Sequence, residues 1–161
     1  MGRWNIPGIP HKGWSIIGCE DILDGIEDPD DREYETCEMC GQERIRYVHI
    51  MSHPDYPTVL RVGCSCAEKM TDDYETPREQ EREMQNRAHR RVNFLKHNWE
   101  TNYKGNLVFR YKGERITAIE RNGCYGFVYH NRWVWYYKGR KICDLETLKL
   151  AAFEVFDNEF E

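Results

Sequence analysis

The pattern of apolar and polar positions divides the chain into four stretches that differ in periodicity. Residues 1–36 show no clear period, and their prolines and glycines predict an extended lead-in that packs on another element. Residues 37–75 contain two runs rich in β-branched and aromatic residues, which predict a hairpin that leads into a short helix. Residues 76–104 predict a long helix, and residues 105–161 predict an antiparallel sheet with a terminal helix.

The long helix is predicted from apolar residues that recur at helical spacing. We expect these residues to face inward: Met84, Ala88, Val92, Leu95 and Trp99. The apolar stripe that they form is narrow. Much of this helix should therefore face solvent or a polar partner.

The last stretch predicts a sheet of three to four strands. The dipeptide Asn122-Gly123 is a strong signal for a two-residue hairpin turn, and residues 131–132 should form the next turn before a strand over residues 133–137. The helix that follows has a broad apolar face suited to lie on the sheet, formed by Leu145, Leu148, Ala152 and Val155. The predicted fold class is therefore α+β.

The seven cysteines make metal binding the first chemistry to consider. The N-terminal residues contain no apolar run of the kind that secretory signals need, and no segment approaches the length of a membrane span. We therefore expect a cytoplasmic protein without a membrane partner. In a reducing compartment, closely spaced cysteines bind metal more often than they form disulfides.

Two cysteine pairs predict one structural Zn²⁺ ion held by Cys37, Cys40, Cys64 and Cys66. The first pair is a Cys-x-x-Cys knuckle, in which Gly41 lets the chain reverse while amides point at the sulfurs. The second pair is a Cys-x-Cys at the predicted helix start, a less common spacing, and His49 or His53 could replace Cys64. Four thiolates would close the site, so we expect no catalysis there. The knuckle, hairpin and helix resemble a treble-clef zinc finger.

The charge distribution adds a candidate for nucleic-acid binding. The net charge is −5, yet residues 76–143 contain 15 basic and 6 acidic side chains. Basic and aromatic residues interleave in the predicted sheet, a combination typical of nucleic-acid-binding surfaces. The residues that we expect to bind DNA or RNA are Arg87, Arg90, Arg91, Arg132, Trp133, Lys138, Arg140 and Lys141.

Two further resemblances concern the whole chain and its C-terminal part. Five segments, PGIPHKGW, CEMCG, IRYVHIM, VGCSCAEKM and TLKLAAF, resemble an uncharacterised family of bacterial and phage proteins, which implies one unit but no function. The strands followed by DLETLKLAAFEVFD resemble sheet-plus-helix DNA-binding domains of the integrase and AP2 type. That resemblance implies that the sheet contacts DNA, loosely through Arg110, Arg121, Arg132 and Arg140.

These features predict a zinc-stabilised, non-catalytic protein that binds nucleic acid. The alternative is a protein–protein adaptor or inhibitor module of bacterial or phage origin with a structural zinc, which the acidic ends and the polar helix fit equally well. A metalloenzyme explains little of the sequence, because neither a general base nor a phosphate-binding glycine loop is evident.

Overall fold

The computed structural model of the chain describes residues 2–26 and 28–159. Four residues of the predicted lead-in and C-terminal segment lie outside the described part: Met1, Glu27, Phe160 and Glu161. The chain divides into two compact units, Met1–Ala88 and His89–Glu161. The fold is α+β, as predicted.

The first unit contains a three-stranded antiparallel sheet in the order β1-β2-β3. Its strands are β1 (Ser15–Asp21), β2 (Tyr47–His53) and β3 (Tyr56–Val62). The predicted hairpin is formed by β2 and β3. The lead-in is not merely extended, because residues 15–21 pair with β2 as a strand whose register shifts between Ile16 and Gly18. Sequence periodicity missed this strand because the side chains of β1 do not alternate cleanly between apolar and polar.

Two helices follow the hairpin, α1 (Cys64–Thr71) and α2 (Thr76–Lys96), and a short 3-10 helix (Pro29–Asp31) precedes it. The Asp73 carboxylate accepts hydrogen bonds from the amides of Glu75 and Thr76 at 3.0 and 2.9 Å, which satisfies donors at the start of α2. The core of this unit is built from aliphatic and sulfur-containing side chains of the sheet and α1, including Val48, Met51, Leu60, Val62 and Met70.

The phase predicted for α2 is wrong towards its C-terminal end. Val92 is 45% exposed, whereas Phe94 is 1% exposed and Arg91 is 6% exposed. The helix ends at Lys96, so Trp99 lies beyond it, although the indole still packs partly buried against the core of the second unit. Phe94 contacts the rings of four other aromatic residues, and this packing determines which face of the helix is buried.

The second unit contains a five-stranded antiparallel sheet in which the strands follow chain order. The sequence predicted three to four strands, so the sheet has one strand more than the upper number. Its strands are β4 (Glu100–Thr101), β5 (Leu107–Tyr111), β6 (Glu114–Arg121), β7 (Cys124–Tyr129) and β8 (Arg132–Val134). The single strand predicted over residues 133–137 is interrupted at Trp135. Residues beyond it form a separate two-stranded ladder of β9 (Tyr136–Tyr137) and β10 (Arg140–Lys141).

Tight turns connect the strands of this sheet. The predicted Asn122-Gly123 turn joins β6 to β7, with Asn122 at φ 54° and Gly123 at φ 79°. The next turn is one residue earlier than predicted. His130 and Asn131 occupy it with positive φ angles of 47° and 63°, and Arg132 is already paired in β8.

The sheet has a core face and an outer face. Helix α3 (Leu145–Glu159) shares one hydrophobic core with Phe109 of β5, Ile116 of β6 and Phe127 of β7. Because side chains alternate along a strand, their neighbours in sequence point to the other side, which we call the outer face. The outer face carries Val108, Arg110, Arg115, Thr117, Ile119, Arg121, Val128 and Trp133.

No helix in the described part of the chain is both long enough and apolar enough to cross a membrane.

Candidate metal centre and nucleic-acid interface

The first cysteine pair lies in the knuckle, a tight reversal of the chain over residues 37–42. The Gly41 amide donates to the Cys37 carbonyl at 2.9 Å, and the Cys37 amide donates to the Gln42 carbonyl at 2.8 Å. Gly41 sits at φ 79°, a conformation that glycine adopts without a steric penalty. The reversal predicted from the sequence is therefore confirmed.

The sulfurs of Cys37, Cys40 and Cys66 lie within 4.8 Å of one another. The knuckle supplies the first two, and the first turn of α1 supplies the third. Backbone amides point at the sulfurs, because Gln42 N–H donates to Cys40 Sγ and Gly63 N–H donates to Cys37 Sγ, each at 3.4 Å. This cysteine triad is close enough to hold a metal ion such as zinc.

The electrostatic environment of the triad favours a thiolate at Cys37. The pKa of this thiol is lowered, chiefly because the Cys66 thiol donates a hydrogen bond to its sulfur and also because the amides of Cys40, Gly63 and Met39 point at it. The pKa of Cys66 is raised, because its proton is held in the bond to Cys37 and because burial disfavours its anion. Soft thiolate donors in this number suit zinc among the common protein metals.

The fourth predicted ligand, Cys64, belongs to a different group of side chains. Its sulfur lies within 4.8 Å of ligand atoms of His49 and Glu81. Successive residues of an α-helix are rotated by about 100°, so Cys64 and Cys66 project about 200° apart from the start of α1. Burial and the Glu81 carboxylate raise the pKa of the Cys64 thiol to about 12.

Neither histidine considered as a replacement for Cys64 joins the cysteine triad. His49 lies in the second group with Cys64. Both ring nitrogens of His53 have partners, since Nε2 donates to the Lys12 carbonyl at 3.0 Å and Nδ1 accepts from the Asp55 amide at 2.9 Å. His53 is therefore a turn-stabilising residue.

The three helix arginines predicted to bind nucleic acid are engaged within the protein. Arg90 Nε donates to Asp157 Oδ1 at 2.9 Å, and Arg87 lies 3.8 Å from the Asp24 carboxylate. Arg91 is buried. These contacts make the three arginines weaker candidates for phosphate binding than exposed cations, and charge counting along a helix does not reveal which residues its neighbours neutralise or bury.

The predicted residues of the sheet region are all exposed: Arg132, Trp133, Lys138, Arg140 and Lys141. Residues 105–143 contain eight lysines and arginines, and every one of them is exposed. Arg115 was not among the predicted residues, although strand alternation places it on the same face as Arg110 and Arg121. Counting alternate positions from the Asn122-Gly123 turn could have found it.

A pair of stacked indoles lies beside these cations. The rings of Trp133 and Trp135 are 5.8 Å apart with an interplanar angle of 16°. Trp135 lies flat over Gly126, where a Cβ atom would overlap the indole. The Arg121 guanidinium sits 5.8 Å from the centre of the Trp135 ring. Of the two indoles, Trp133 is the more accessible, with 51% of its surface exposed.

A groove of about 440 Å³ adjoins the Trp135 indole. Its lining combines cationic, aromatic and polar side chains: Arg121, Asn122, Cys124, Trp135, Tyr136 and Lys141. Tyr136 is 58% exposed, so the groove presents an accessible aromatic ring as well as two positive charges.

Cys124 and Cys143 form a disulfide bond near this groove. The two residues are 19 positions apart, but Tyr125 N–H donates to the Ile142 carbonyl, which brings the two segments together. Sequence spacing alone does not reveal that pairing.

Comparison of the chain with protein-family models, curated proteins and solved structures finds no match. The function of the cysteine triad and of the exposed sheet face must therefore be inferred from the chemistry of their own residues.

Proposed function

We propose that the chain is a non-catalytic nucleic-acid-binding protein that holds a structural zinc ion in its first unit and binds a single strand on the outer sheet face of its second unit. The observation that carries the proposal is the pairing of Arg110 with Arg115. These residues are direct cross-strand partners in β5 and β6, and both are exposed. Like charges directly opposite in a sheet are destabilising, so an anionic partner that neutralises them gains affinity.

The described residues do not supply that anion. In the described part of the chain, neither Arg110 nor Arg115 has a carboxylate in ion-pair contact. Arg121 lies further along the same face of β6. Together these cations form a positively charged surface, of the kind that binds a phosphate backbone without regard to sequence.

The aromatic side chains favour a single strand over a duplex. One row of the register runs through Val108, Thr117, Val128 and Trp133. Neighbouring strands are about 4.8 Å apart, so the row spans about 14 Å from Val108 to the exposed indole. Bases of a single strand can stack on such an indole while the phosphates contact the arginines, whereas bases paired in a duplex are already stacked.

The zinc ion has a stabilising role in this proposal. The cysteine triad stands where a treble-clef-like finger has its metal, between the knuckle and the helix that follows the hairpin. The first unit has a small core, and a metal that ties the knuckle to α1 would stabilise it by coupling binding to folding. No catalytic step is assigned to it.

The test is a fluorescence-anisotropy titration with single-stranded DNA and RNA and with a duplex of the same sequence. We expect the single strands to bind more tightly than the duplex. Trp133→Ala should weaken single-strand binding by about 1–3 kcal/mol, the range for loss of one stacking platform. Arg115→Gln should weaken binding to all sequences alike, because phosphate contacts carry no sequence information.

The matched control is Lys149→Gln, which removes one positive charge from α3 on the core side of the sheet. Its affinity should equal that of the unmodified chain. If Lys149→Gln weakens binding as much as Arg115→Gln, the outer sheet face is not the site. If no nucleic acid binds at micromolar protein, a protein partner becomes the better proposal.

A further inference from the structure

His49 lies in the middle of β2 and has no exposed surface. Its Nδ1 atom is 3.2 Å from Gln80 Oε1, and because an amide oxygen only accepts, this contact is a hydrogen bond when Nδ1 carries the proton. The other nitrogen, Nε2, has no hydrogen-bond partner in the described part of the chain. A buried polar atom left without a partner is costly, so a ligand that pairs with this lone pair would stabilise the fold.

The neighbours of Nε2 are themselves metal-ligating groups. Cys64 Sγ, a Glu81 carboxylate oxygen and His49 Nε2 all lie within 4.8 Å of one another. The Nε2 atom is 3.9 Å from Glu81 Oε2, too far for a hydrogen bond. Around a tetrahedral zinc ion with bonds of about 2.0–2.3 Å, ligand atoms are about 3.3–3.8 Å apart. Small side-chain rotations would therefore close the three groups around one ion.

The three groups come from three different elements. His49 is on β2, Cys64 begins α1 and Glu81 lies in the second turn of α2. An ion bound by all three would tie both helices to the sheet. Since the lone pair of Nε2 is already free and Nδ1–H is held by Gln80, the imidazole needs no change of tautomer to bind the ion.

The charge of the group suits a divalent cation. A metal ion that binds Cys64 releases the thiol proton, after which the Cys64 thiolate and the Glu81 carboxylate together carry two negative charges. A third acidic group, Glu68, lies 3.5 Å from Cys64 Sγ, but its charge is balanced by Arg78, whose Nε donates to Glu68 Oε1 at 3.0 Å. Local neutrality is therefore reached with one ion of charge +2.

We propose that His49, Cys64 and Glu81 form a second metal site, separate from the cysteine triad, that takes a divalent transition ion such as zinc. Like the cysteine triad, this group supplies three protein ligands, so a fourth coordination position is left for water or a small anion. The mixed nitrogen, sulfur and oxygen donors suit zinc better than magnesium or calcium, which require oxygen ligands. This site does not depend on whether the sheet face binds nucleic acid.

The experiment uses the full chain and zinc as the probe. The reduced protein is titrated with zinc, dialysed against metal-free buffer and assayed for zinc per chain by mass spectrometry under native conditions. We expect two zinc ions per chain. Glu81→Gln and Cys64→Ser should each hold one, because each removes a ligand from the second site and leaves the cysteine triad complete.

Matched controls separate ligand loss from general damage. Glu79→Gln removes an exposed carboxylate from the same helix, and Cys19→Ser removes a free thiol from β1. Both controls should hold two zinc ions. Gln80→Ala, which removes only the partner of His49 Nδ1, should weaken binding of the second ion by about 10–100-fold without abolishing it.

Two results would overturn the second site. One is an unmodified chain that saturates at a single zinc ion. The other is two zinc ions retained with unchanged affinity in both Glu81→Gln and Cys64→Ser. Circular dichroism of each variant checks that the fold persists. Glu81 is partly exposed at the surface, so Glu81→Gln gives a readout even if Cys64→Ser fails to fold.

Discussion

Cys64 and Cys66 are separated by a single residue, yet their sulfurs belong to different groups of metal-ligating side chains. Cys66 faces the knuckle with Cys37 and Cys40, while Cys64 faces His49 and Glu81. The division follows from helix geometry, because α1 begins at Cys64 and two residues of a helix turn the side-chain direction by about 200°. A Cys-x-Cys pair in an extended segment would instead place both sulfurs on one side.

Replacing Cys37 tests the role of the cysteine triad. Cys37→Ser should lose the metal of the triad and unfold the first unit, because metal binding there is coupled to folding. Circular dichroism and zinc content measured on the same sample check this. Cys19→Ser is the control and should keep both. A Cys37→Ser protein that stays fully folded without zinc would show that the ion is dispensable.

The phase of α2 can be tested with two neighbouring residues. Phe94→Ala should lower the free energy of unfolding by about 3–5 kcal/mol, since it empties a buried aromatic position. Val92→Ala should change it by less than about 0.5 kcal/mol, because the side chain is largely exposed. Urea denaturation of both variants provides the comparison. Equal losses would mean that the buried face has been misassigned.

The absence of a side chain at Gly126 allows Trp135 to lie on the sheet. Gly126→Ala should destabilise the second unit by about 1–3 kcal/mol, because the new methyl group overlaps the indole. The same change should weaken single-strand binding by displacing the stacked pair. Gly123→Ala serves as a comparison, since nothing lies near its Cβ position and only its positive φ is strained. Unchanged stability and binding in Gly126→Ala would contradict the described packing.

The disulfide between Cys124 and Cys143 predicts how many reactive thiols the chain presents. The metal-free, denatured and unreduced chain should present five reactive thiols out of seven cysteines. Reduction should destabilise the second unit by about 3 kcal/mol, the value expected for closing a loop of this length. Thiol titration before and after reduction measures both states. Seven reactive thiols before reduction would show that the bond does not form in solution.

Sequence reasoning recovered the features that depend on local chemistry. The knuckle at Gly41, the hairpin of β2 and β3 and the Asn122-Gly123 turn follow from residues within a few positions of one another. The prediction failed where distant contacts decide. Packing against four aromatic rings buries Phe94 rather than Val92, and Trp135 leaves the strand because it covers Gly126.

The candidate site shows the same division. Three ligands of the triad follow from cysteine spacing, but the assignment of Cys64 depends on where α1 begins, and that boundary cannot be derived from spacing. Likewise, Arg90 could be predicted to lie on a helix but not to pair with Asp157, which is 67 residues away. That Arg110 and Arg115 are direct cross-strand partners can be recognised only once the register of β5 and β6 is known.

The salt dependence of single-strand binding is the sharpest test of whether the outer sheet face binds a phosphate backbone. Each phosphate neutralised by a cation releases counterions, so the logarithm of the affinity should fall linearly with the logarithm of salt concentration, by about 0.7 per contact on a single strand. Contacts from Arg110, Arg115 and Arg121 predict a slope of about −2, which should become shallower by about 0.7 in Arg115→Gln and stay unchanged in Lys149→Gln. The absence of binding at micromolar protein in about 50 mM salt, or a slope that Arg115→Gln does not change, would contradict the proposal.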